Sequence, residues 1–223
     1  MSYIAIPFAV DYQKVKNVFG SKDQTLFENV KGTELYDNYA GQSSDGDPKY
    51  HYDLEEILHD IIFKYIKPEN RTTKSGFLGL VKSTQGSGLK ENMGHAYGYA
   101  LIAISGYLGT HLLPYCDGFY CGDWFEEAHK VIKSNGLKVD IGEMFEQHDV
   151  FDIPKPVDFP AMYCFSKSDI AHVNEIMSSV EIDEEKADDN NENFDEVQDM
   201  LKNIRDSFRA CADNNVEMIT FAH

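Results

Sequence analysis

GHAYGYALIAISGYLGTHLL, residues 94–113, is the most hydrophobic stretch of the chain, and its reading decides the fold. A membrane-spanning helix needs about 18 or more predominantly apolar residues in a row. Gly98, Ser105, Gly106, Gly109 and His111 interrupt this one. The pattern predicts a buried core helix over residues 89–112, not a span of a bilayer. Its first turn also raises a question of chemistry. His95 and Tyr99 are four residues apart and share a helix face, with Tyr97 between them. Gly94 and Gly98 allow another backbone to come close. A histidine beside tyrosine hydroxyls can act as a general base, yet spacing assigns it neither a Ser or Cys nucleophile nor a carboxylate. His95, Tyr97 and Tyr99 are therefore the candidate pocket of an enzyme or small-molecule binder. The preferred expectation is a satisfied structural histidine.

Outward from this helix, strands are expected at the two ends of the chain and helices between them. Residues 3–11 alternate as a strand, and residues 216–222 are a second β-rich segment. These two are expected to share one small sheet. Tyr12, Val15 and Val18 give a first helix, stopped by Gly20. Ser21-Lys22-Asp23-Gln24 reads as a capping box for a helix through Val30. Residues 40–51 are loop-like. Asp53 caps a helix whose stripe is Leu54, Ile57, Leu58, Ile61, Ile62, Tyr65 and Ile66, ended by Pro68. Phe77, Leu78, Leu80 and Val81 are apolar but of undecided type. Asp123 to Glu126 suggests a capping box for a helix packing Trp124, Phe125, Ala128 and Ile132 inward. The prolines of residues 150–160 mark an extended connection, and Ser166 to Asp169 caps a further helix. Phe194, Val197, Leu201, Ile204, Phe208 and Cys211 recur at three and four residues, a long helix seam. The expected class is α+β: a predominantly helical single domain over residues 1–223, with a small sheet including the N- and C-terminal strands.

Charge is the largest departure from average composition. The formal net charge of the 223 residues is −18. Residues 181–223 contribute 13 acidic against 4 basic residues. Residues 181–196, EIDEEKADDNNENFDE, are too polar for a core and read as an acidic surface loop. A field of this sign repels nucleic-acid phosphate and anionic lipid. It attracts a basic protein and speeds its encounter. Neither nucleic acid nor membrane is therefore an expected partner.

The remaining motifs are weak. Asp45, Asp47 and Asp53 lack the spacing and closing glutamate of a calcium loop. Cys116 and Cys121 supply two thiols, with Cys164 and His111 as loose further ligands, short of a zinc pattern. Glu143 and His148 lack the second histidine of a metalloprotease helix. Gly86-Ser87-Gly88, flanked by Lys82 and Lys90, has no nucleotide-binding spacing. No cofactor or metal is expected. The opening residues have no basic segment of the kind that starts a secretory signal. This predicts a cytoplasmic location and reduced thiols.

Several stretches carry a resemblance. Tyr3, Val10-Asp11 and Gly20-Ser21-Lys22-Asp23 come first, then Gly94-His95-Ala96-Tyr97-Gly98-Tyr99-Ala100-Leu101 with Leu108-Gly109. Ile153-Pro154-Lys155-Pro156 with Asp158-Phe159-Pro160 and the helix and strand of residues 195–222 follow. Together they resemble an uncharacterised family of bacterial cytosolic proteins. The resemblance implies one soluble domain of bacterial origin and transfers no catalytic residue. The run at 181–196 departs from it in being more acidic.

The functional expectation is an immunity or antitoxin-type protein that neutralises a cognate, basic toxin domain through its acidic surface. Glu181, Asp183, Glu184, Glu185, Asp188, Asp189 and Glu192 are the expected contact residues. The alternative is the pocket at His95, Tyr97 and Tyr99.

Overall fold

Seven residues, IAIPFAV, make the strand on which one part of the molecule is built. The structure is a computed structural model that describes residues 3–42, 51–75, 82–114, 118–156, 159–183 and 192–223. In it these seven residues form β1 (Ile4–Val10). The closing strand β7 (Glu217–Ala222) runs antiparallel beside it, from Ala5 opposite Ala222 to Val10 opposite Glu217. The other edge of β1 meets two short strands, β4 (Thr110–His111) and β5 (Phe119–Tyr120). β6 (Ala161–Phe165) pairs with β7. The order is β4-β1-β7-β6, with β5 also on β1. The two terminal strands share the sheet, as their sequences predict, and the class is α+β.

A proline in such a central strand has to face the right way. Ile4 and His223 exchange two backbone hydrogen bonds of 2.9 Å, so Ile4, Ile6 and Phe8 turn their amides toward β7. Pro7 turns the other way, where its carbonyl accepts from the Leu112 amide at 3.0 Å. Its missing N–H therefore removes nothing from the β1–β7 ladder.

By its contacts the chain divides into two compact units, Met1–Tyr12 with Gly109–Val150 and Pro160–His223, and Gln13–Leu108 with Phe151–Phe159. In the first, α6 (Asp123–Ser134), α7 (Lys167–Met177) and α8 (Glu192–Asp213) cover one face of the sheet. Phe125, Ala128 and Ile132 of α6, Ile170 and Val173 of α7, and Leu201, Ile204 and Phe208 of α8 share a core with Ala5, Phe119, Phe165 and Met218. The expected seam of α8 is buried from Leu201 through Ile204 and Phe208 to Cys211, with Val197 partly buried. Ser166 and Asp169 form the expected capping box of α7.

The second unit is helical. It holds α1 (Tyr12–Val18) from residue 13 on, α2 (Gln24–Lys31), α3 (Glu34–Gln42), α4 (Leu54–His59) and α5 (Gly94–Leu108). It also carries a hairpin of β2 (Thr73–Ser75) and β3 (Lys82–Thr84). α5 is the helix of the hydrophobic stretch. Buried residues run all around it from Gly94 to Ser105, as its uniform hydropathy requires.

Several boundaries differ from expectation. α5 begins at Gly94, not Leu89, and residues 110–111 leave it to become β4. The start is fixed by a close approach: a Cβ at Gly94 would overlap the backbone of Pro154 and Lys155. α4 passes into a π-helical turn over Asp60–Lys64, so Tyr65 and Ile66 lie outside the helix. α2 is capped by Asp23, whose carboxylate accepts from the Leu26 amide, and Ser21 is not the cap. α6 has Gly122 as its N-cap, with no side-chain cap. Trp124 points outward, because Phe125, Ala128 and Ile132 alone form the inward stripe. The expected loop at 40–51 gives way to α3 as far as Gln42. Asp45, Asp47, Phe77, Leu78, Leu80, Val81 and Cys116 lie outside the described residues.

Gly94→Val is expected to destabilise the protein by about 1–3 kcal/mol, since the obstacle is backbone that must shift. Gly86→Ala, at an exposed position outside any helix with nothing within 4 Å of the added carbon, is expected to stay within about 0.5 kcal/mol of wild type. Urea unfolding of both variants checks this.

Candidate functional site

The His95, Tyr97, Tyr99 trio divides between two clusters of the helical unit. His95 is 8% exposed and meets the Tyr52 ring edge-on at 5.8 Å. Tyr99 stacks on both Tyr52 and Tyr39, at 5.9 and 5.2 Å. Tyr39 from α3, His95 and Tyr99 from α5 and Tyr52 from the segment before α4 thus form one cluster of four rings. Burial raises the Tyr52 hydroxyl far above its ordinary range, so it stays protonated.

Tyr97 belongs to the other cluster. Its hydroxyl donates to Asp60 Oδ2 at 3.1 Å and accepts from the Lys90 amide at 2.9 Å. Asp60 is 1% exposed and pairs with Lys64 Nζ at 2.7 Å. Lys90 in turn pairs with Glu56 at 2.7 Å. Burial is the main reason that the Tyr97 phenol titrates far above its ordinary range. The π-helical turn carries Asp60; such turns are often found at functional sites. Asp60 is not among the residues expected from the sequence, although a carboxylate within the apolar run LHDIIF is a visible signal. Chemically, a protonated phenol bridges a buried carboxylate oxygen and a backbone amide, and the other carboxylate oxygen is met by the Lys64 ammonium group.

Near it, Gly20, Lys22, Tyr65, Ile66, Lys67, Glu69 and Asn70 line an open depression of about 480 Å³. Tyr65 donates to Asp152 at 2.6 Å, and Arg71 pairs with the same carboxylate. Lys22 and Lys67 bring positive charge to the depression, and Glu69 sets a carboxylate among them.

The acidic candidates lie in the sheet-bearing unit. Glu181 and Asp183 are exposed, and the Asp183 amide donates to the Gln198 side chain of α8 at 2.9 Å. Glu184, Glu185, Asp188 and Asp189 lie outside the described residues. Glu192 is the first residue of α8, so the expected loop ends before it and residues 192–196 are helical. Farther along α8, Glu196, Asp199, Asp206 and Asp213 are exposed.

Cys121, Cys164 and Cys211 are free thiols. Burial pushes the last two up to about 12, which leaves them protonated and poor nucleophiles at neutral pH. Glu143 and His148 do come together, at 2.7 Å. Among the described residues no group of three or more His, Cys, Asp or Glu is arranged to hold a metal ion. No described helix is long and apolar enough to cross a membrane.

These features define an α+β protein with a small antiparallel sheet, whose polar clusters are linked by hydrogen bonds and ion pairs. The chain belongs to the family described as a domain of unknown function, DUF7691, which it matches over residues 1–223. No curated protein and no solved structure matches it.

Tyr97→Phe is expected to cost about 1–3 kcal/mol in urea unfolding, because it strips a partner from a buried carboxylate oxygen and from the Lys90 amide. A second test is the pH dependence at His129. Burial lowers its pKa, Lys133 adds to this, and Asp140 opposes it. The unfolded chain therefore takes up this proton first as pH falls below about 6.5, so the contribution is whole above that and is lost below it. His129→Gln is expected to lose less Tm than wild type between about pH 7 and about pH 5.

Proposed function

We propose that the chain is a binding protein of the immunity type, which neutralises a basic toxin domain inside the bacterial cytoplasm. The observation that carries this reading is the concentration of charge: residues 181–200 hold 10 acidic residues and one lysine. Glu181, Asp183, Glu196 and Asp199 within that span are exposed to a partner. A surface of this sign steers a cationic protein and turns away nucleic acid and anionic lipid. Glu181, Asp183, Glu184, Glu185, Asp188, Asp189 and Glu192 form the contact set. The Tyr97 hydroxyl, held between Asp60 and the Lys90 amide, supports a structural role there in preference to a catalytic one.

The test uses the product of the gene next to the one encoding this chain. Stopped-flow association is measured at low and high salt, for wild type and for a variant with all seven carboxylates turned to amides. The variant is expected to associate about tenfold more slowly at low salt, with the difference shrinking at high salt. Equal rates at both salts would contradict the reading, as would a metabolic enzyme for a neighbour and no complex at all.

A further inference from the structure

Acidic charge speeds encounter but rarely holds a complex by itself; interfaces are held by a few buried aromatic or arginine anchors. The sheet-bearing unit exposes such an anchor. Tyr120 at the end of β5 is 42% exposed, Trp124 on α6 is 43% and Val131 on α6 is 36%. Trp124, Glu127 and Val131 stand three and then four residues apart, so they line one face of α6. The inward stripe of Phe125, Ala128 and Ile132 is complete without them. Trp124 is the only tryptophan of the chain. Core packing does not explain its placement in solvent.

Charge says what fits there. Asp123, Glu126 and Glu127 are exposed on the first two turns of α6, and Glu146 is exposed as well. The cation on this part of α6, Lys130, is taken up by Glu127 at 2.7 Å. An exposed indole on a helix start that carries three exposed carboxylates, Asp123, Glu126 and Glu127, matches a guanidinium or ammonium group carried on an apolar stem.

We infer that the Trp124 and Val131 face of α6 is a docking site for an arginine- or lysine-bearing segment of the partner protein. The inference rests on the reading of the chain as a binder of basic proteins, and it supplies the anchor that reading lacks. The acidic residues around 181–199 bring the partner in; Trp124 retains it.

Trp124 is its own reporter. The whole chain is titrated with a synthetic helical peptide of arginine and leucine, and with its glutamate and leucine counterpart. The arginine peptide is expected to shift the tryptophan emission to the blue and to reduce acrylamide quenching at least about twofold. With a labelled peptide, Trp124→Ala and Val131→Lys, both at exposed helix positions, are each expected to weaken binding about tenfold or more. Circular dichroism checks that both variants stay folded. Glu181→Gln/Asp183→Asn is expected to slow association and leave the emission shift in place. Binding of the arginine peptide with unchanged emission and unchanged affinity in Trp124→Ala would overturn the docking face and leave the acidic reading standing. Equal response to the glutamate peptide would overturn the cationic occupant. No binding of the arginine peptide would overturn both.

Discussion

The pairing of β1 with β7 is the constraint from which the sheet-bearing unit follows. It joins the first strand of the chain to the last, across more than two hundred residues. Everything between must leave and return to the same sheet. Loop closure over such a separation is entropically unfavourable, and the ladder is recovered only once the strands meet. Pro7 is compatible with that ladder solely because its nitrogen faces the opposite edge. β6 then adds to β7, and β4 and β5 add to β1. The helices α6, α7 and α8 follow, since one face of the sheet has to be covered. Their outer surfaces carry exposed acidic residues, and α6 also exposes Trp124 and Val131.

The helical unit answers a different constraint. α5 is apolar on every side, so it must be surrounded. Of the polar side chains it brings inward, two near its start are given partners: the Tyr52 ring for His95, Asp60 and the Lys90 amide for Tyr97. A buried carboxylate is tolerable when a hydroxyl and an ammonium group meet it. Here the ammonium is Lys64 from the same π-helical turn. The polar residues at the start of α5 are thus explained by packing, and the proposed function rests on the charged outer face of the other unit.

Much of this was legible in the sequence, for physical reasons. The terminal strands carry dense β-forming residues, and α8 carries an uninterrupted seam, so both could be read locally. The capping box at Ser166 is a short-range signal and was readable too. β4 and β5 were not, because two residues hold no periodicity; neighbours across the sheet create them. β6 follows a proline-rich connection that masked it. The early end assigned to α4 and the late start of α5 depend on tertiary contacts, the π turn at Asp60 and the backbone of Pro154 against Gly94. Trp124 was misplaced because hydrophobicity alone assigned it inward. The three-and-four spacing of Phe125, Ala128 and Ile132 already closed the inward stripe without it. His95 and Tyr99 share a cluster as their spacing requires, whereas the Tyr97 partner, Asp60, lies 37 residues away, and spacing along the chain does not pair the two.

Hydrogen exchange with mass spectrometry on the complex with the neighbouring gene product tests the central claim most directly. Binding through the charged and aromatic outer surface predicts new protection in residues 118–131 and 181–200, with little change at 52–66 and 94–108. Protection centred on 52–66 and 94–108, with none in the acidic and Trp124 segments, would contradict it and return the site to His95 and Tyr97.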